Sequence, residues 1–202
     1  SARVSIEDAG GRTLVIRPAH DDGRLLFIFY PGGLVRPQAY EWLARSLAAQ
    51  GVMTVIPEFA ADLAVTGINR ADALIDTYAA GRPVVLGGHS LGGAMACDWA
   101  SRNPSRLQGL VLAAAYPADS TSITGTNTLM LGAEHDGLAT PAKMAAGLTR
   151  LPQATTTVTV SGAVHSFFGR YGPQAGDGVP TVSRADAEAQ ILTAVTAWFA
   201  TL

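Results

Sequence analysis

The chain has 202 residues, of which 48% are hydrophobic and 15% charged, and its formal net charge is −2. This size and composition suit one domain with a well-packed core, and we expect a single domain over residues 1–202. The near-neutral charge argues against nucleic acid as a partner.

Cysteine content and hydropathy exclude further classes. The one cysteine, Cys97, leaves no intrachain disulfide and no multi-cysteine zinc site. No apolar run reaches the roughly 18–20 residues that cross a bilayer, so we expect no membrane span. We recognise no charged-then-apolar signal segment in the given residues, of which the first is Ser1 rather than a methionine. The compartment therefore stays open between a cytoplasmic domain and an exported one that has lost an upstream segment, and nothing predicts an oligomeric state.

Strand-like and helix-like segments alternate along the chain. The predicted strands are Arg3–Ile6, Thr13–Arg17, Arg24–Tyr30, Val52–Ile56, Val84–Leu86, Gly109–Ala115, Thr128–Leu131 and Thr155–Val160. Helices are predicted over Gln38–Gln50, from Asn69 (with a cap-like pattern) to near Ala80, after Ser90, from near Thr140, and from Ser183. This order predicts an α/β fold, a doubly wound and mostly parallel sheet of about seven to eight strands with helices on both faces. Sites in such sheets form beyond the carboxyl ends of the strands.

The segment Gly88-His89-Ser90-Leu91-Gly92 has the pattern G-x-S-x-G. In a chain with 22 glycines the bare pattern is a weak signal. Its position after an apolar strand and before a helix strengthens it, because a sharp strand-to-helix turn exposes a serine hydroxyl next to free helix N–H groups. We therefore predict that Ser90 is a nucleophile. The alternative is a glycine-rich turn that joins a core strand to a core helix.

A serine nucleophile needs a base, and His165 is the candidate. His165 follows the last predicted strand and comes after Ser90 in the chain. His20 lies in a polar turn, His89 is next to Ser90 and should point away from it, and His135 stands beside Asp136. The alternative for His165 is a buried structural histidine.

We predict that Asp136 is the acid that orients the base. Nucleophile, acid and base then follow one another along the chain as Ser90, Asp136 and His165, which is the order that catalytic triads have in this fold class. Glu134 and Asp119 are rivals, and Asp136-Gly137 also suits a plain turn.

The oxyanion hole needs two N–H groups. The Leu91 N–H follows the nucleophile directly, and we expect the second from Gly33 in the segment Pro31-Gly32-Gly33-Leu34. Gly32 and Leu34 are alternatives for the second donor, and a plain turn is the alternative for the loop.

The chain resembles the α/β-hydrolase superfamily over essentially its whole length. The resemblance is carried by the Pro-Gly-Gly loop, the strand-to-helix turn at Ser90 (the nucleophile elbow), the Gly132–Asp136 loop and the His165 loop, in this order. Within it, Phe29–Gly33 and Phe168–Gly178 are similar to a small dienelactone-hydrolase-like bacterial group. Dienelactone hydrolases use a cysteine nucleophile, from which Ser90 departs. Members of the α/β-hydrolase superfamily often carry a cap domain after the strand that corresponds to Gly109–Ala115. The short stretch before Thr128 leaves no room for one, so the resemblance implies an open site without a cap.

The predicted activity is hydrolysis of a small-molecule carboxylic ester, with no metal or organic cofactor. Thioesterase, amidase or perhydrolase activity stays open, as does a homologue that binds a ligand without turnover. Asp177-Gly178 has too few neighbouring carboxylates for calcium. The irregular segment Gly169–Gly178 either lines the pocket or closes the fold.

Overall fold

An eight-stranded sheet forms the centre of the computed structural model, which describes residues 2–202. In chain order the strands are β1 (Arg3–Asp8), β2 (Arg12–Arg17), β3 (Leu25–Tyr30), β4 (Val52–Pro57), β5 (Val84–His89), β6 (Gly109–Ala113), β7 (Asn127–Ala133) and β8 (Thr156–Val160). Their order across the sheet is β1-β2-β4-β3-β5-β6-β7-β8. The β1–β2 and β2–β4 pairs are antiparallel and the remaining pairs are parallel. The predicted α/β sheet is confirmed.

Burial along the strands follows their place in the sheet. Every residue of β3, β4, β5 and β6 is buried, as expected for strands covered on both faces. The edge strands β1 and β8 instead leave several side chains exposed.

Within residues 2–202 there are five α-helices: α1 (Glu41–Ala48), α2 (Arg70–Tyr78), α3 (Leu91–Arg102), α4 (Pro141–Leu148) and α5 (Arg184–Phe199). The first four lie between strands, and α5 follows β8. The side chains of Thr140 and Ser183 cap α4 and α5 by accepting hydrogen bonds from backbone N–H groups. Asn69 stands at the N-cap position of α2, as its cap-like pattern predicts, but its side chain makes no cap hydrogen bond. Its Oδ1 instead accepts a hydrogen bond from Arg102 Nη1 at 3.3 Å.

Two neighbouring glycines of β5 show that helices cover both faces. Successive positions of a strand point to opposite faces. A Cβ built on Gly88 would meet the backbone of α3, whereas one on Gly87 would meet the ring of Phe27. That ring packs edge-on against Phe199 of α5, with centroids 5.3 Å apart. Helices α3 and α5 therefore lie on opposite faces.

Several element ends differ from the sequence prediction. The segment predicted as one helix over Gln38–Gln50 begins with a 3₁₀ turn at Pro37–Tyr40 and becomes α-helical only at Glu41. Strand β6 ends two residues early, because Ala114 has a positive φ of 45°. Strand β5 runs on to His89, directly up to Ser90.

The connection from β6 to β7 spans residues 114–126 and contains no helix or strand. The fold accordingly has no cap over the carboxyl edge of the sheet. Within residues 2–202, no helix has both the length and the apolar character needed to cross a membrane.

Candidate active site

Ser90 lies at a strained turn between β5 and α3. Its φ of 52° and ψ of −122° are rare for a residue with a side chain and cost about 1–3 kcal/mol. The Ser90 N–H donates to the Ala113 carbonyl at 3.0 Å, which ties the turn to β6. A Cβ on Gly92 would collide with the carbonyls of Tyr30 and Pro31, so close packing of the helix start on β3 requires a glycine there.

The two expected oxyanion donors come from adjacent segments. Leu91 is the first residue of α3, and Gly33 lies in the loop after β3. A Cβ on Gly33 would lie 3.3 Å from Leu91 Cδ2, so the two segments are in contact. Within residues 2–202, neither the Gly33 N–H nor the Leu91 N–H donates a hydrogen bond. Both N–H groups thus have no hydrogen-bond partner among these residues.

His165 and Asp136 form a buried hydrogen-bonded pair. His165 Nδ1 lies 2.8 Å from Asp136 Oδ2, and the two side chains are 1% and 0% exposed. Asp136 Oδ1 accepts hydrogen bonds from the N–H groups of Leu138 (2.8 Å) and Ala139 (2.7 Å). Because these bonds fix the carboxylate, its other oxygen holds His165 Nδ1–H, which leaves the Nε2 lone pair free. Nε2 is buried and has no hydrogen-bond partner in the described part of the chain.

The rival residues are engaged elsewhere. Glu134 Oε2 accepts a hydrogen bond from the Gly162 N–H at 2.7 Å. The carboxylate of Asp119 is fully exposed and pairs with Arg150 at 3.3 Å. His135 Nε2 faces Thr181 Oγ1 at 3.4 Å, and His20 is exposed.

Ser90 and His165 line one cavity of about 330 Å³. The remaining walls are mainly small or apolar residues: Leu91, Ala94, Ala114, Ala115, Tyr116, Ala118, Leu138 and Ala139. Apart from the imidazole of His165, the lining carries no ionisable group other than the Tyr116 phenol. Among residues 2–202 no cluster of histidine, cysteine, aspartate or glutamate side chains could hold a metal ion.

The comparisons with known proteins agree with this architecture. The family model described as "Alpha/beta hydrolase family" matches residues 26–189. The chain belongs to this family. A solved structure with the same fold, titled as a predicted CIB-like hydrolase from Thermoplasma acidophilum, has a TM-score of 0.73 and 15% identity. The match covers 100% of this chain and 99% of that one. None of the curated proteins matches the chain.

Three side chains beside the site of this alpha/beta hydrolase make contacts that its sequence does not predict, although a structural role is expected for His89. Asp177 Oδ1 accepts the N–H of His165 at 2.9 Å, and its Oδ2 accepts the N–H of Ser166 at 2.9 Å. The carboxylate therefore holds the first turn of the 3₁₀ segment His165–Phe168. Tyr40 and His89 are hydrogen bonded to each other beneath the Gly32–Gly33 loop.

The segment Gly169–Gly178 of the hydrolase does not line the cavity that contains Ser90. It packs against the loop that carries Asp136, since a Cβ on Gly178 would collide with the His135 carbonyl. Of the two roles considered for this segment, the contacts favour closing the fold around the His165 turn.

Proposed function

We propose that this hydrolase cleaves carboxylic esters through an acyl-enzyme on Ser90, with His165 as general base and Asp136 as the orienting acid. The observation that carries the proposal is the free Nε2 of His165. It belongs to an imidazole fixed by a buried carboxylate, on the wall of the same cavity as Ser90 at its strained turn.

In the proposed reaction, His165 Nε2 takes the proton of the Ser90 hydroxyl as Oγ attacks the ester carbonyl carbon. The N–H groups of Leu91 and Gly33 bind the oxyanion of the tetrahedral intermediate. The imidazolium then gives its proton to the alkoxy oxygen as the carbon–oxygen bond breaks. In the second half, water loses a proton to His165 and attacks the acyl carbon, and Ser90 leaves as the protonated hydroxyl.

The character of the cavity supports an uncharged acyl group. Its alanine and leucine walls offer neither a cation for a carboxylate nor an anion for an amine. Burying an unpaired charge there would cost several kcal/mol, whereas short alkyl groups gain from apolar contact. The connection over residues 114–126 is too short to form a cap, which supports substrates whose alcohol part extends into solvent.

The test is hydrolysis of p-nitrophenyl butyrate by wild type and by matched pairs of variants. Ser90→Ala and His165→Ala should each lower kcat by about 10⁴–10⁶-fold. Ser101→Ala is the serine control, because its hydroxyl bonds only to the Asp98 carbonyl within α3. His135→Ala is the histidine control. Both controls should stay within about threefold of wild type, as expected for substitutions outside the reacting atoms.

Other substrates separate ester cleavage from the competing activities. The matching p-nitroanilide and an acyl thioester of the same chain length should be turned over at least about tenfold more slowly than the ester. A faster thioester or amide reaction would keep Ser90 as nucleophile and replace the substrate class. A folded wild type that hydrolyses none of them would support a ligand-binding homologue instead.

A further inference from the structure

A buried chain of hydrogen bonds lies directly beneath the loop that carries Gly33. The Gly32 N–H donates to Tyr40 Oη at 2.9 Å, and Tyr40 Oη lies 2.9 Å from His89 Nδ1. The side chains of Tyr40 and His89 are buried, with residue exposures of 1% and 0%. These hydrogen bonds thus connect the loop after β3 with His89, the residue that precedes Ser90.

The direction of these bonds follows from the available hydrogens. Tyr40 Oη accepts the Gly32 N–H, and within residues 2–202 His89 Nδ1 is the one other hydrogen-bond partner of the hydroxyl. Because a buried O–H needs an acceptor, we assign its hydrogen to the lone pair of His89 Nδ1. Burial, followed by the neighbouring imidazole of His165, lowers the pKa of His89 well below its usual range. Burial likewise raises the pKa of Tyr40, although the Gly32 N–H lowers it in part. A neutral tyrosine therefore donates to a neutral histidine.

Two hydrogen bonds hold the backbone on either side of Gly32, one to the peptide that precedes it and one to the peptide between Gly32 and Gly33. Tyr40 holds Gly32 through its N–H, and the Val35 N–H donates to the Gly32 carbonyl at 3.2 Å. In a trans peptide the carbonyl and the following N–H point in opposite directions. Fixing the Gly32 carbonyl toward Val35 therefore turns the Gly33 N–H to the other side. A Cβ on Gly32 would lie 2.8 Å from His89 Nδ1, so the loop sits tightly on the pair.

His89 also contacts the base. The ring centroids of His89 and His165 are 4.6 Å apart, and the ring of Phe168 lies 5.7 Å from that of His89. One buried imidazole thus packs against the general base and also accepts the hydrogen bond from the tyrosine under the oxyanion loop.

We propose that Tyr40 and His89 are positioning residues for acyl transfer, which hold the Gly33 N–H and the His165 ring at fixed positions relative to Ser90. This inference rests on the proposed function. An oxyanion donor acts on the transition state rather than on bound substrate, so a displaced Gly33 N–H lowers kcat and leaves KM nearly unchanged.

Tyr40→Phe is the decisive variant, since it removes one oxygen and keeps the ring against Phe29, whose centroid is 5.0 Å away. Tyr30→Phe is a matched control. Tyr30 Oη is also buried, accepts the Ala71 N–H at 2.7 Å and donates to the Ile68 carbonyl at 2.8 Å. Both variants leave one buried backbone N–H without its partner, but only Tyr40 bonds to the oxyanion loop.

The readouts are kcat, KM and inhibition by a phenylboronic acid, whose tetrahedral serine adduct places an oxygen among the oxyanion donors. Tyr40→Phe should lower kcat about 10- to 100-fold and keep KM within about threefold of wild type. The inhibition constant of the boronic acid should rise by a factor similar to the loss in kcat. Tyr30→Phe should lose a comparable amount of thermal stability and keep kcat and boronate affinity within about threefold. Equal kinetic losses in both variants, or none in Tyr40→Phe, would overturn the proposal.

Two His89 variants keep the question decidable if Tyr40→Phe does not fold. Asn places an amide oxygen close to where His89 Nδ1 lies, so His89→Asn retains an acceptor for Tyr40. His89→Leu removes the acceptor, and its kcat should be at least about tenfold below that of His89→Asn. Equal kcat in the two variants would overturn the role of the hydrogen bond. An inactive wild type would instead refute the proposed function, so the two failures are distinguishable.

Discussion

At the scale of single residues, the site depends on which carboxylate reaches which nitrogen. Asp136 uses both oxygens, one for His165 and the other for two backbone N–H groups. Glu134, only two residues away, is turned to the Gly162 N–H. Neighbouring acids of similar chemistry thus have separate positions, and only one contacts the imidazole.

Replacing these two acids one at a time tests the assignment. Asp136→Asn should lower kcat by about 10⁴-fold, because an amide in place of the carboxylate favours the wrong imidazole tautomer and does not stabilise the imidazolium. Glu134→Gln keeps an oxygen for the Gly162 N–H and should stay within about threefold. Steady-state kinetics with circular dichroism as a folding control measures both. The reverse ranking would assign the acid to Glu134.

At the scale of elements, the elbow needs the start of α3 to approach β3 more closely than a side chain allows. A Cβ on Gly92 would collide with the carbonyls of Tyr30 and Pro31. Backbone carbonyls within a sheet and its first loop cannot move aside as the end of a flexible side chain can. The position of Ser90 therefore depends on the glycine that follows it by two residues.

Gly92→Ala should destabilise the protein by about 2–3 kcal/mol, as expected for overpacking against backbone. Gly132→Ala is the matched control, because its Cβ would make ordinary contacts of 3.6 and 3.9 Å with Met144. Its change should stay within about 1 kcal/mol. Urea unfolding of both variants is the measurement, and a Gly92→Ala protein as stable as the control would contradict the packing described.

The turn that carries His165 depends on one carboxylate. Burial raises the pKa of Asp177, but hydrogen bonds from the N–H groups of Ser166, His165 and Gly178 lower it by more, so the pKa lies below its ordinary value of 3.8. A carboxyl group with a depressed pKa in the folded state stabilises the fold above its unfolded pKa. This contribution is lost as the pH falls through the folded pKa.

Asp177→Asn should therefore melt below wild type at pH 7, and the difference should shrink as the pH falls below about 4. Asp119→Asn is the control, since that carboxylate is fully exposed, and its effect should be small throughout. Thermal unfolding between pH 3 and 7 measures both. A difference for Asp177→Asn that stays constant over this range would mean that its charge does not hold the turn.

At the scale of the whole molecule, the sequence predicts the order of elements and the residues at strand ends. Ser90, Asp136 and His165 are predicted because each follows a segment with a strand pattern, and parallel strands bring their carboxyl ends to one edge. Their roles remain predictions. The sequence does not predict contacts between residues that are far apart along the chain. Tyr40 and His89 are 49 residues apart, and neither carries a local pattern that marks the other as its partner. Asp177 lies in an irregular segment where periodicity gives no register.

The open edge and the uncharged cavity together predict a substrate profile. Activity on p-nitrophenyl esters should be highest for short to medium acyl chains, because a cavity of about 330 Å³ does not enclose a long one. The hemisuccinate ester should react at least about tenfold more slowly than the butyrate, since its carboxylate finds no cation in the lining. A sharp preference for palmitate, or for the charged ester, would contradict this account of the pocket.

The most direct test of the central claim is covalent labelling of the folded protein with a fluorophosphonate, followed by mass spectrometry of the intact protein and its peptides. We expect one adduct per chain, located on Ser90. It should be absent from Ser90→Ala, strongly slowed in His165→Ala and unchanged in Ser101→Ala. A folded wild type that forms no adduct, or an adduct on another residue, would contradict the assignment of Ser90 as the nucleophile.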